Sequence, residues 1–208
     1  LTLSVSLLQC NLAETLRPLG SLDESLTHAA PHDRHDHPAL AASSLLTVAR
    51  CHAQNGDLDG AVTALNRSFA PLLAEGDLAT ILHTYSELAR IHLLRNEPDQ
   101  GLEEVMEGLD LCTLGEGPRA PVDLPLWRCL LSISELHRSA KRLDEAVVWA
   151  NHALFQAERR EDELALLRTH AQRAFLLRLA ERPTAQNSIE AAQSSAPDIL
   201  GLAERQRG

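Results

Sequence analysis

Ten histidines in 208 residues make metal binding the first chemistry to weigh. Four of them, His28, His32, His35 and His37, cluster in the stretch HAAPHDRHDHP, interleaved with Asp33 and Asp36. Imidazole and carboxylate groups at such spacing can fold round one Zn or Ni ion when the loop carrying them is flexible. No fixed scaffold such as an HExxH helix holds these ligands, however. Asp36 just ahead of Pro38 also suits the approach to a helix N-terminus. A solvated connection is therefore the favoured reading. His32, His35 and His37 stay as the metal candidates, and no cofactor is expected.

A second set, His52, His92 and His137, recurs at one relative place on three apolar segments. Helices stacked ~10 Å apart would hold these rings too far from one another to share an ion, so packed side chains are the simpler role. The sequence carries no GxSxG elbow and no GxxxxGK[ST] or GxGxxG phosphate cradle. Catalytic activity is not expected. Cys10, Cys51, Cys112 and Cys129 lie far apart without a CxxC pair, as buried, reduced thiols of a cytoplasmic protein would. A net charge of −10 argues against general nucleic-acid binding, which needs a basic face to displace counterions. No run reaches the ~18 apolar residues of a membrane span, so no membrane insertion is expected. The opening LTLSVSLLQCNL lacks the basic flank and cleavage site of a leader. It begins at Leu, which reads as a segment of a longer polypeptide.

The elements that must position these residues are helical. Hydrophobic residues make up 44% and aromatics only 3%, a Leu/Ala-rich composition suited to close helix-on-helix packing. Five times a helix-stopping loop hands over to a second helix: LGSLDES (19–25), NGDLDGA (55–61), RNEPDQG (95–101), AKRLDEA (140–146) and AERPTAQ (180–186). Alignment superimposes Asp23, Asp59, Asp99, Asp144 and Thr184, each able to cap a helix N-terminus, at intervals of 36, 40, 45 and 40 residues. The segments ahead of three of these loops share one order of large, large, small and histidine: Leu45, Val48, Ala49, His52; Tyr85, Leu88, Ala89, His92; Leu130, Ile133, Ser134, His137. Further small columns are Ala61, Gly101, Ala146 and Ser68, Gly108, Ala153. Small residues recur where two helices of a hairpin touch. Two stretches depart from the pattern. Residues 113–125, with three prolines and two glycines, exclude helix and read as a surface or partner-contacting loop. The run 156–175 reads as one long helix with an apolar stripe.

This pattern resembles the tetratricopeptide repeat family, in a longer-repeat variant. The likeness is strong in the three central units, weaker around Leu12, Ala13 and Leu16, and weakest around His170, Ala174 and Leu177. The family more often places Tyr where His52, His92 and His137 stand. The resemblance implies an all-α, right-handed α-solenoid of four to five antiparallel hairpins, one domain over residues 1–208. Its approximate repeats would be 6–35, 42–75, 82–115, 127–160 and 167–200. It implies a concave groove lined by the first helix of each hairpin. Arg50, Arg90, Arg128 and Arg138 would then clamp carboxylates, with Leu46, Ser86, Leu93 and Leu131 as walls and Arg168 and Arg178 joining from the last unit. The expected partner is a protein or peptide, acidic or ending in a free carboxylate. The function implied is a protein-interaction scaffold within a regulatory protein. One alternative is a ligand- or peptide-sensing domain of a bacterial transcriptional activator or kinase, and another is a structural or oligomerisation spacer.

Overall fold

The computed structural model describes residues 3–29, 37–114 and 124–180, and among these are nine α-helices, one short 3-10 turn and no strand. They fall into two compact units, Leu1–Arg95 and Asn96–Gly208. The first contains α1 (Leu3–Leu16), the 3-10 turn (Arg17–Leu19), α2 (Leu22–Ala29), α3 (Pro38–Gln54), α4 (Leu58–Glu75) and α5 (Leu78–Arg95). The second contains α6 (Pro98–Leu114), α7 (Leu126–Ser139), α8 (Leu143–Arg160) and α9 (Glu163–Leu179).

Within the first unit α1 packs on α2 and α3, and α3 on α4, which in turn carries α5. Within the second, α7 packs on α6, α8 and α9, and α8 also meets α9. The small columns sit at these crossings. Ser25 Oγ donates to the carbonyl of Ala13 at 2.7 Å where α2 crosses α1. Ser134 Oγ donates to the carbonyl of Ala146 at 2.7 Å where α7 meets α8. Ala49 and Ala61 are buried at the equivalent places in α3 and α4. Leu and Ile fill the space on either side: Leu45, Leu65, Ile81 and Leu88 in the first unit, Ile133, Leu136 and Leu176 in the second, all essentially without solvent contact.

The turns repeat a backbone conformation. Gly20 (φ 86°), Gly56 (φ 84°), Asn96 (φ 60°) and Lys141 (φ 63°) are all left-handed, each three residues ahead of one of the aligned aspartates. A left-handed residue ends a helix by turning its last carbonyls back onto the chain, and Gly or Asn adopts it with least strain. The aligned aspartates are not the caps. At the start of α4 that work falls to Asp57, whose Oδ1 accepts from the Gly60 backbone at 2.9 Å while Oδ2 faces His52 Nδ1 at 2.8 Å. Asp162 caps α9 in the same way through the Ala165 backbone at 3.0 Å. Asp59 and Asp99 stand one residue inside their helices and meet Arg95 and Arg142 respectively.

Two further expectations are corrected. The run 156–175 is not one helix: α8 ends at Arg160, Glu161 turns left-handed (φ 52°), and α9 restarts at Glu163 behind its Asp162 cap. The stretch 113–125 begins inside α6, which continues to Leu114. Residues 115–123 lie outside the described residues, as do His32, His35 and Thr184. His37 directly precedes Pro38 at the start of α3. No group of three His, Cys, Asp or Glu among the described residues is arranged to hold a metal ion.

Candidate partner-binding surfaces

The histidine column divides. His52 is half-exposed on Asp57, and His92 is buried. His137 stacks on Trp149 at 6.4 Å between ring centroids, and burial, reinforced by Arg142, lowers its pKa. The thiols are quiet: burial raises Cys10 and Cys51 and pushes Cys112 up to about 11, which suppresses thiolate.

In the first unit the residue after each small-column position brings three consecutive first helices together. Arg50 of α3 donates through Nη1 to Glu14 Oε1 of α1 at 3.1 Å and through Nε to Glu87 Oε1 of α5 at 3.2 Å. Its Nη2 contacts Nε2 of His83. Burial pushes Glu14 up, but a 2.6 Å hydrogen bond from Thr47 together with Arg50 and Arg17 outweighs it and holds the carboxyl below its ordinary value. Glu87 is likewise held low against its burial by Arg50 and Arg90. Arg90 lies 3.0 Å from Glu87 Oε2 on its own helix. Arg50 therefore has every guanidinium nitrogen engaged within the chain. Beside this network opens a cavity of about 390 Å³, with Glu14, Arg50, Asp77 and His83 on its polar wall and Leu46 and Leu72 on its apolar one. Ser86 turns its hydroxyl back to the Leu82 carbonyl, and Leu93 is half-buried.

The second unit presents a different surface at equivalent positions. Arg138 on α7 holds Glu135 at 2.7 Å and lies over the Phe175 ring of α9, 5.7 Å from its centroid. Arg128 covers Trp127 at 5.0 Å, and Leu131 packs on the Trp127, Ala157 and Ala165 cluster. Phe175 follows the small residue Ala174, in the place that Arg50 takes after Ala49. It is 48% exposed, as Phe155 on α8 also is at 55%. Arg168, Ala171, Phe175 and Arg178 follow one another at intervals of three, four and three residues on a single exposed stripe of α9. Neither Arg168 nor Arg178 has an ion-pair or hydrogen-bond partner among the described residues. Two features escaped sequence reasoning: Glu14 as the partner of Arg50, and Phe175 as a surface aromatic. The offset of one from Ala13 and from Ala174 was the signal for both.

These hairpins, with small residues at the crossings and left-handed turns between, define the tetratricopeptide-like helical-repeat fold. Solved structures agree. A Podosopora anserina putative kinesin light chain with nearly identical TPR-like repeats superimposes with a TM-score of 0.62 at 19% identity, covering 92% of this chain and 94% of that one. A signal transduction ATPase with numerous domains and a tetratricopeptide-repeat sensor, from Pyrococcus horikoshii, gives 0.68 at 11% identity, with 96% of this chain aligned to 30% of that one. The MamA RS-1 ArsTM double mutant gives 0.57 at 15% identity over 93% and 96% of the two chains. No family model and no curated protein matches the sequence. No helix among the described residues is long and apolar enough to cross a membrane.

Proposed function

We propose that this chain is a non-enzymatic protein-interaction module that holds an acidic segment of a partner protein on the α7–α9 face of its second unit. The observation that carries this reading is the exposed stripe of α9, where Arg168 and Arg178 bracket Phe175 with no acidic partner among the described residues. Exposed arginine beside exposed aromatic is the composition of interface hot spots: the ring supplies desolvated area at small entropy cost, and the guanidinium supplies bidentate recognition of carboxylates. A preformed helical surface lets the partner bind without ordering cost on the receptor side. The same columns running through both units support treating residues 1–208 as one repeat array. Four free, buried cysteines support a reducing, cytoplasmic setting.

A second reading, a ligand- or peptide-sensing regulatory domain, is favoured by the partly open, polar-lined cavity of the first unit, since a sensor needs convergent polar groups around a pocket. The test is fluorescence anisotropy with labelled acidic peptides, amidated and free at the C-terminus, against the wild type, Arg168→Glu/Arg178→Glu and Phe175→Ala. The expected result is salt-sensitive binding that each variant loses by at least about tenfold, near 1.4 kcal/mol. Unchanged affinity in the double arginine variant would remove the α9 face from consideration.

A further inference from the structure

The cavity of the first unit has a charge preference of its own. Its guanidinium, Arg50, already pairs with Glu14 and Glu87 and touches His83, so its charge is balanced within the chain although two of its five N–H groups remain. Acceptors also remain open. A carboxylate has about four lone-pair sites. Glu14 Oε1 takes both Thr47 and Arg50, but Glu14 Oε2 has only Arg17 at 3.6 Å, outside hydrogen-bond distance. Asp77 receives one bond on each oxygen, from the Thr80 backbone at 3.0 Å and the Thr80 hydroxyl at 2.6 Å, which leaves a site on each. The wall thus combines two carboxylates with spare acceptor capacity, an arginine already paired to Glu14 and Glu87, and the His83 imidazole. Opposite stand Leu46 and Leu72, both buried, which offer apolar surface for a hydrocarbon stem. A volume of about 390 Å³ lies at the low end of the ~300–1,000 Å³ range of small-ligand pockets, room for one long side chain and not for a helix.

We infer that this cavity receives the basic side chain of a lysine or arginine from a partner protein, its aliphatic stem on Leu46 and Leu72 and its cationic head between Glu14 and Asp77. Long basic side chains are built for such a site, since they bury their methylenes while the head keeps its hydrogen bonds. An acidic side chain meets the opposite situation, two carboxylates and an arginine whose charge Glu14 and Glu87 already balance. The site is independent of the α9 face and discriminates in the opposite sense.

The probes are N-acetyl-lysinamide, N-acetyl-norleucinamide and N-acetyl-glutamate amide, titrated into the full ¹⁵N-labelled chain and followed through the amide shifts of Leu46, Thr80 and His83. The expected outcome is saturable shifts with the lysine probe, at least about tenfold weaker binding of norleucine, and none with glutamate. Raising salt from about 50 to 500 mM should weaken the lysine probe and not norleucine. Asp77→Asn keeps a helix-capping side chain while removing charge, and should cost lysine several-fold with norleucine unchanged. Ser43→Trp, from an exposed position on the cavity wall, should abolish binding in a chain whose circular dichroism is unaltered. Equal binding of lysine and norleucine, preference for glutamate, shifts confined to other residues, or no saturable shift would each overturn the assignment. Arg168→Glu/Arg178→Glu should leave these shifts untouched, so failure here and failure of the α9 reading are told apart.

Discussion

Replacing Arg50 with Met removes the group that joins Glu14 to Glu87. Arg50 is 19% exposed, Glu87 15% and Glu14 33%, so the network lies between the surface and the deep interior. Exposed pairs contribute about 0.2–1 kcal/mol, while stranding one partner of a fully buried pair costs about 3–5 kcal/mol. With two carboxylates each losing Arg50 but keeping Thr47 or Arg90, and one of them a third exposed, the expected loss is about 2–3 kcal/mol. Its pH dependence follows from sign. Both carboxyls are held below the ordinary value of 4.5 in the folded chain, so their stabilisation is complete at neutral pH and disappears as pH falls through the lowered values. In Arg50→Met the Thr47 hydrogen bond and Arg17 still act on Glu14 and Arg90 on Glu87, but the balance moves towards burial and both carboxyls rise, so they take up protons earlier on acidification and the deficit relative to wild type narrows. Adding Glu14→Gln and Glu87→Gln to Arg50→Met should recover most of the loss at pH 7, because neutral amides have no charge to strand. Urea unfolding followed by circular dichroism at several pH values measures all of this. Wild-type stability in Arg50→Met at pH 7, or a deficit that stays constant down to pH 4, would refute the coupling of Arg50 to the two carboxylates.

The other structural predictions concern the hairpins. Ala49→Leu, at a fully buried helix crossing, should overpack α3 against α4 and cost about 1–3 kcal/mol, whereas Val148→Leu, on an exposed face of α8, should change stability by under about 0.5 kcal/mol; equal melting curves for the two would place Ala49 outside the contact. Asp57→Ala removes the acceptor for the Gly60 backbone and the partner of His52, and should cost about 0.5–2 kcal/mol by the same assay, with Asp59→Ala costing less; the reverse order would return the capping role to Asp59. The α9 and cavity titrations described above complete the set.

The hairpin register was legible in the sequence because a helix crossing admits little besides Ala, Ser or Gly, so Ala49, Ala61, Ser134 and Ala146 announce themselves through exclusion. The capping residues were less legible. NGDLDGA offers two aspartates two residues apart, both chemically fit to cap, and only the backbone path around left-handed Gly56 decides for Asp57. The break between α8 and α9 was hidden for a related reason: Glu161 adopts a left-handed conformation without the Gly that would mark it. The arginine roles were least legible of all. Periodicity places Arg50 and Phe175 on a face of a helix, but what each meets there is contributed from another hairpin, Glu14 and Glu87 in one case and Arg138 in the other.

The alternation Glu14, Arg50, Glu87 also fixes the order in which the hairpins can follow one another. Suppose residues 42–75 were copied in tandem. The first copy of Arg50 would meet Thr47 where Glu87 now stands, and the second would meet a guanidinium where it now meets Glu14. In repeat arrays stability is a sum of individual units and nearest-neighbour interfaces, so a like-charge junction weakens the whole stack at one seam. The hairpins resemble one another closely in their small columns and turns, yet they are not interchangeable parts. Lengthening this array by simple duplication would require a compensating acidic residue at each new seam.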